Sequence, residues 1–313
     1  MKSSPGPGDT SGPWTQPETA DSRSRGPKVA RIPYLNAYPF YVRWDELTER
    51  GWSSITMPPR QLGVSMERGD VDAGLMAVCD LIRLEAEFEP VLLTGPSGIS
   101  SLGIANQDRV DSVLLFVRAD DSDRTLGGRR PSLSLSPENK DLLENAIIGV
   151  TGESSTSFRL LRLLLEVRHK IKPTYRRKDL SHVLEPDLSA VLVIGDLALR
   201  WRYNPPAGWV QVMDLAREWR EWTGRPFVFA RWAVRRALPE RVKLDFARFL
   251  EGSLAEGIGE IAQIARETDI GVESDHVRSY LENLTYRLGP DELEAESRFR
   301  ELLSDHGIVC SAE

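Results

Sequence analysis

Three short runs in this chain carry polar side chains where an α/β fold places its ligands. The first is Arg31-Ile32-Pro33-Tyr34-Leu35-Asn36-Ala37-Tyr38-Pro39. It follows an apolar β-rich run, and ligands gather beyond the carboxyl ends of the strands in open α/β sheets. Asn36 can be a turn residue between prolines, or its amide can bond a ligand on a cleft floor beside Tyr34. The second run is Thr151-Gly152-Glu153-Ser154-Ser155-Thr156-Ser157-Phe158, which leads from a strand into a helix. One hydroxyl there would serve as an N-cap. Four in succession, Ser154, Ser155, Thr156 and Ser157, stand beside free backbone N–H groups and the positive end of a helix dipole. That combination reads as a socket for a carboxylate or phosphate. The third run, Ala190–Ile194, ends in Gly195-Asp196, where the Asp can cap the next helix or face a ligand. Ser112, opening the apolar run Val113–Val117, reads from its position alone as a structural strand-edge serine.

Other chemistries lack their residues. The chain contains no Gly-x-Gly-x-x-Gly turn, no phosphate-binding Gly-rich loop ending in Lys, and no His-Glu-x-x-His. Ser154 lacks the flanking glycines of a nucleophile elbow. The four histidines, His169, His182, His276 and His306, sit in polar surroundings, and none reads as a placed general base. Cys79 and Cys310 are too few for a disulfide framework or a zinc site; Cys79 reads as a small buried hydrophobe. No metal or cofactor is called for. Forty Lys and Arg against 47 Asp and Glu leave a net charge of -7, which argues against a nucleic-acid partner.

Positioning these runs requires a framework, and 313 residues suffice for about two domains. Residues 1–27 lack any apolar run and read as a disordered tail without the apolar core of a secretory signal. Apolar β-rich runs then alternate with helical patterns: Val29–Ile32, Asp72–Ala77, Val91–Thr94, Ser112–Val117, Ala146–Val150, Ala190–Ile194 and Pro226–Trp232. Alternation of this kind predicts an α/β fold with largely parallel sheets. Later the chain turns helical, and Val242 to Ile264 presents one apolar stripe at three- and four-residue steps. No run approaches the length of a membrane helix. Joints near Val117 and Phe227 would make residues 118–226 an inserted lobe, with 28–117 and 227–313 forming the other. A cleft between two such lobes suits a small ligand.

Several segments together resemble the chorismate dehydratases of the futalosine route to menaquinone. They are Tyr34-Leu35-Asn36 with Pro39, Arg68-Gly69-Asp70-Val71-Asp72-Ala73-Gly74-Leu75-Met76, Ser112–Phe116, Thr151–Ser157 and Val193–Arg200. The most specific is Asp214-Leu215 with Trp219, Trp222-Thr223-Gly224, Pro226–Ala230 and Trp232. The resemblance implies a two-lobed fold like the type 2 periplasmic binding proteins, with two crossing strands and an interlobe cleft. It implies a cytoplasmic hydro-lyase whose small-molecule substrate is chorismate, acting without cofactor, nucleic acid or membrane. Asn36 and Ser112 would be the catalytic pair. Tyr34, Ser154, Ser155, Thr156, Ser157, Gly195 and Asp196 would bind substrate. The charged stretch Asn106–Asp111 departs from the small residues the family usually has before that serine. Two rivals share the fold: a cytoplasmic small-anion sensor, and the naphthoate synthase of the same pathway, whose Asn-Asp-Thr-Phe signature is replaced here by Leu35–Pro39.

Overall fold

The computed structural model describes residues 26–95, 98–118, 132–153, 155–178 and 187–311. The expected disorder of residues 1–25 and the binding role of Ser154 lie outside them. The described strands, in chain order, are β1 (Lys28–Arg31), β2 (Ser53–Thr56), β3 (Ala73–Ala77), β4 (Phe88–Pro90), β5 (Leu92–Gly95) and β6 (Gly98–Asn106). They continue with β7 (Val113–Arg118), β8 (Ile147–Thr151), β9 (Thr174–Lys178), β10 (Ala190–Ile194), β11 (Trp209–Asp214), β12 (Phe227–Arg235) and β13 (Leu284–Leu288). They build two sheets. The first runs β13-β6-β12-β3-β1-β2, with β4 on β12 and β5 on β6; the second runs β11-β7-β10-β8-β9. Helices cover both, so the architecture is a two-lobed mixed α/β fold.

The sheets are mixed rather than largely parallel. Each keeps a parallel group, β3-β1-β2 in one and β10-β8-β9 in the other. Helices intervene between strands there, as parallel pairing requires. The strands by which the chain enters a lobe from its neighbour, β7 and β12, run antiparallel to these groups. β7 pairs with β10 and β11, so it belongs to the second sheet, whereas the sequence boundary at 117 put it in the first lobe. The chain therefore passes between sheets through residues 107–112 and again through residues 215–226.

One buried carboxylate ties those two passages together. Asp214 ends β11 and caps the helix Leu215–Thr223, accepting from the N–H groups of Ala216 and Arg217 at 3.0 and 3.2 Å. It also accepts from Val110 N at 3.1 Å and Asp111 N at 2.8 Å, in the other passage. Asp111 sits in left-handed backbone at φ 60°, which an Asp tolerates better than a branched residue. Burial pushes the Asp214 carboxyl up to about 6, and its amide partners only partly offset this.

In the first lobe the helix Glu240–Gly259 clamps a six-residue 3-10 helix, Leu35–Phe40. Phe40 packs edge-on against Trp232, and Ser253 Oγ donates to the Phe40 carbonyl at 2.9 Å. Gly257 makes the approach possible: a Cβ there would lie 2.1 Å from the Pro39 carbonyl oxygen. The stripe expected to lie on one helix breaks at Glu260 into Glu240–Gly259 and Ile261–Glu267, leaving Ile258 44% exposed. Gly257 and Gly259 in the final turn weaken helix continuation there. Among the described residues, no helix is long and apolar enough to cross a membrane.

Two predictions follow from these contacts. Gly257→Ala must push the 3-10 helix outward, costing about 1–3 kcal/mol of stability, read as a lower urea midpoint. Asp214→Ala leaves amides of both passages unsatisfied and should cost roughly 2–4 kcal/mol. The folded carboxyl holds its proton more tightly than an unfolded one at the ordinary 3.8. Its contribution to stability is thus greatest below about 4 and declines as pH rises to about 6. The difference in urea midpoint between wild type and Asp214→Asn should fall over that interval.

Candidate active site

A cavity open to solvent lies between the sheets, lined by both. Its first-lobe wall comes from the end of β1 and the 3-10 helix, through Tyr34 and Asn36, and from Leu75, Ile104 and Phe229. Its second-lobe wall comes from Glu153, Ser157, Ile194 and Gly195, with Val110 and Ser112 from the passage between lobes. Pro33 precedes the 3-10 helix and Pro39 lies inside it, each fixing φ. Asn36 sits in its first turn with Oδ1 buried and without a hydrogen-bond partner among the described residues. Such an acceptor in a mostly apolar cavity is costly unless something fills its valence.

Asn36 and Ser112 meet through a third residue. Tyr280, on the helix Ser274–Glu282, donates its phenol to Ser112 Oγ at 3.0 Å, and the Asn36 amide lies near enough to the same phenol to draw it down slightly. Burial pushes this phenol well above its ordinary value, so it remains a neutral donor. Ser112 is 2% exposed, and its carbonyl accepts from Gly195 N at 2.8 Å. Gly195 adopts φ 61°, and a Cβ there would meet the Tyr34 ring at 3.5 Å. Glycine is what lets β10 turn into its helix against that ring.

The lobes touch at the cavity's edges. Asp196 Oδ1 accepts from Leu35 N at 3.1 Å, joining the second lobe to the residue before Asn36. Burial raises the Asp196 carboxyl, and the Leu35 amide works against that rise. Ser155 Oγ donates to Asp80 at 2.9 Å, and Thr156 Oγ1 accepts from Cys79 N at 3.1 Å. These two hydroxyls therefore face the Val78–Arg83 helix of the first lobe, while Ser157 lines the cavity. Of the residues expected from sequence, Tyr34, Asn36, Ser112, Ser157 and Gly195 share the cavity; Asp196, Ser155 and Thr156 bridge lobes beside it.

Sequence reasoning passed over two residues of this site. Tyr280 reads as one more apolar position of a helical stripe, and only its contact with Ser112 marks it out. Glu153 stands inside the hydroxyl-rich run, where nothing in its type or spacing marks it out. Its carboxylate lines the cavity, with Oε2 buried and without a hydrogen-bond partner among the described residues. Burial, then the charges of Glu153 and Asp196, drive the Tyr34 phenol upward. No Lys or Arg is among the described residues lining this cavity. An anion here must be held by neutral donors and backbone N–H groups.

Two lobes, two passages and a cavity between them define the periplasmic-binding-protein class of fold. The periplasmic aliphatic sulphonate binding protein of Escherichia coli superposes with a TM-score of 0.54 at 12% identity, covering 91% of this chain and 89% of that one. A protein of Archaeoglobus fulgidus superposes at 0.67 and 16% identity, covering 90% and 98%. In sequence, the chain is 32% identical over 233 residues to the chorismate dehydratase of Thermus thermophilus, covering 68% of this chain and 82% of that protein. Residues 27–305 match the family model described as menaquinone biosynthesis, and the chain belongs to that family.

Asp196→Ala removes the acceptor that orders Leu35. The Leu35 amide should exchange at least about tenfold faster with deuterium, measured by mass spectrometry of the peptide that spans it. Unchanged exchange would show that the 3-10 helix is held without the second lobe.

Proposed function

We propose that this chain is a chorismate dehydratase, removing water from chorismate to give 3-[(1-carboxyvinyl)oxy]benzoate. The observation that carries the reading is the Asn36–Tyr280–Ser112 constellation of neutral side chains, in which Asn36 and Ser112 line the cavity between lobes and buried Tyr280 backs them. Family membership and the Thermus relative support it. The reaction breaks the C3–H bond, whose electrons become a ring double bond, and breaks the C4–O bond. The departing hydroxide leaves as water after taking a proton. Aromatisation drives this strongly downhill, so the protein's task is orientation and placed polarity. Asn36 orients the enolpyruvyl carboxylate or the leaving hydroxyl, with Ser112 and Tyr280 supporting it. Ser157, the neighbouring helix N-terminus and Tyr34 hold the carboxylates, with Ser154, Ser155, Thr156, Gly195 and Asp196 in supporting roles. The sheets act as hinged lobes, opening at residues 107–112 and 215–226.

Two groups can accept the C3 proton. One is the substrate's own enolpyruvyl carboxylate; the other is Glu153, favoured by the unpartnered Oε2 in the cavity. A substrate dianion beside an ionised Glu153 repels it, which a proton transferred to that carboxylate would relieve.

Purified protein mixed with chorismate should yield a product lighter by one water, absent without enzyme. Asn36→Ala should lower kcat by about 10²-fold, and Tyr280→Phe by about tenfold. Near-normal turnover in both Asn36→Ala and Ser112→Ala would defeat the reading, and chorismate bound but unchanged would favour a sensor. Glu153→Gln separates the proton acceptors: retained kcat assigns the proton to the substrate's carboxylate, a loss of about 10²-fold assigns it to Glu153.

A further inference from the structure

The chain has two cysteines, and the fold sets them against each other. Cys79, in the first turn of the Val78–Arg83 helix, is 1% exposed. Cys310 follows the helix Pro290–Asp305 and is half-buried. Both are free thiols, and each lies within electrostatic reach of the other. Arg159, from the second lobe, holds the segment on either side of Cys310. Its Nε donates to the Val309 carbonyl at 3.1 Å, and Nη2 donates to the Ser311 carbonyl and hydroxyl at 3.2 and 3.1 Å. Cys79 N donates to Thr156 Oγ1, one turn earlier on the Arg159 helix. The sulfur pair thus lies where the two lobes and the C-terminal segment converge.

The two thiols are unequal. Burial pushes Cys79 up, keeping it protonated. The neighbouring Cys79 thiol, aided by the Arg159 guanidinium, draws Cys310 down, and Cys310 is also the more accessible. A half-buried thiol made more acidic beside an arginine, with a second thiol close by, suits oxidation followed by resolution.

We propose that Cys79 and Cys310 form a modification site for hydrogen peroxide, closing to a disulfide that ties the C-terminal segment to the first lobe. The Cys310 sulfur attacks one peroxide oxygen, the O–O bond breaks, and Cys310 becomes a sulfenic acid as hydroxide takes a proton and leaves as water. The Cys79 sulfur then attacks the Cys310 sulfur. The S–O bond breaks, and a second water leaves carrying the Cys79 proton. Two electrons pass from the sulfur pair to peroxide. Because Arg159 grips carbonyls on both sides of the tied residue, the bond also fastens a contact between lobes.

The test uses the full-length protein, treated with hydrogen peroxide, denatured, alkylated and mapped by mass spectrometry. The expected result is loss of both titratable thiols, an intact mass lower by two hydrogens, and a peptide joining Cys79 to Cys310. Dithiothreitol should reverse all three. The melting temperature should rise by about 5 °C on oxidation of wild type and stay unchanged in Cys310→Ser and Cys79→Ala. Retention of both thiols, or oxidation of Cys310 to a sulfinic acid with Cys79 still alkylatable, overturns the proposal. None of these readouts depends on chorismate turnover.

Discussion

The buried carboxylate of Asp214 is the constraint on which the two-lobed arrangement rests. It lies where the chain leaves the second sheet, yet it accepts from amides at the point where the chain enters that sheet. A hinge built from two unconnected passages would let the lobes shear as well as close. Joining the passages at one charged acceptor confines the motion and holds Asp111 in its left-handed conformation. Ser112, the next residue, inherits its place in the cavity from that turn. Arg202 reinforces the same point, with its guanidinium 3.1 Å from the Asp111 carboxylate. Burial makes ionised Asp214 costly, and the convergence of backbone amides is what keeps the cost tolerable at neutral pH.

From this joint outward, the cavity is assembled by neutral groups. Asn36, Tyr280 and Ser112 come from three distant stretches of chain and meet around one phenol. Each is held by something that is not itself chemical: the 3-10 helix by Gly257, Ser112 by its carbonyl bond to Gly195, Tyr280 by burial in the helical layer. A net charge of -7 gives an anionic substrate no long-range attraction. On the proposed function, short-range donors in a low-dielectric cleft carry the recognition, and closure of the lobes would strengthen them by excluding water.

Contacts between lobes use groups that would suit a ligand equally well. Ser155, Thr156 and Asp196 carry the polar atoms expected of a binding socket, but here they satisfy Asp80, the Cys79 amide and the Leu35 amide. Closing the cleft therefore exchanges solvent for protein partners rather than leaving these groups bare. The same boundary holds the two cysteines, so the chemistry of the C-terminal segment and the closure of the lobes share one seam.

Much of this was legible before any coordinates. Strand runs such as Ala190–Ile194 and Ala73–Ala77 are apolar on both faces, and Asn36 stands beyond the carboxyl end of a strand, where ligands gather, whereas Ser112 was marked only by the family resemblance. β2, whose four residues are all exposed, and β9 lack that apolar signal and could not be read. Sheet direction, the lobe that owns β7, and the break at Glu260 depend on pairings between distant segments. Tyr280, Glu153 and the Cys79–Cys310 contact likewise belong to no motif. Residue type and spacing thus determined the class of fold and the placement of the first polar residues, because both follow from local periodicity. The meeting of Asn36 with Ser112 through Tyr280, the Asp214 joint and the paired thiols were decided by tertiary structure alone, because each depends on distances between residues far apart in the chain.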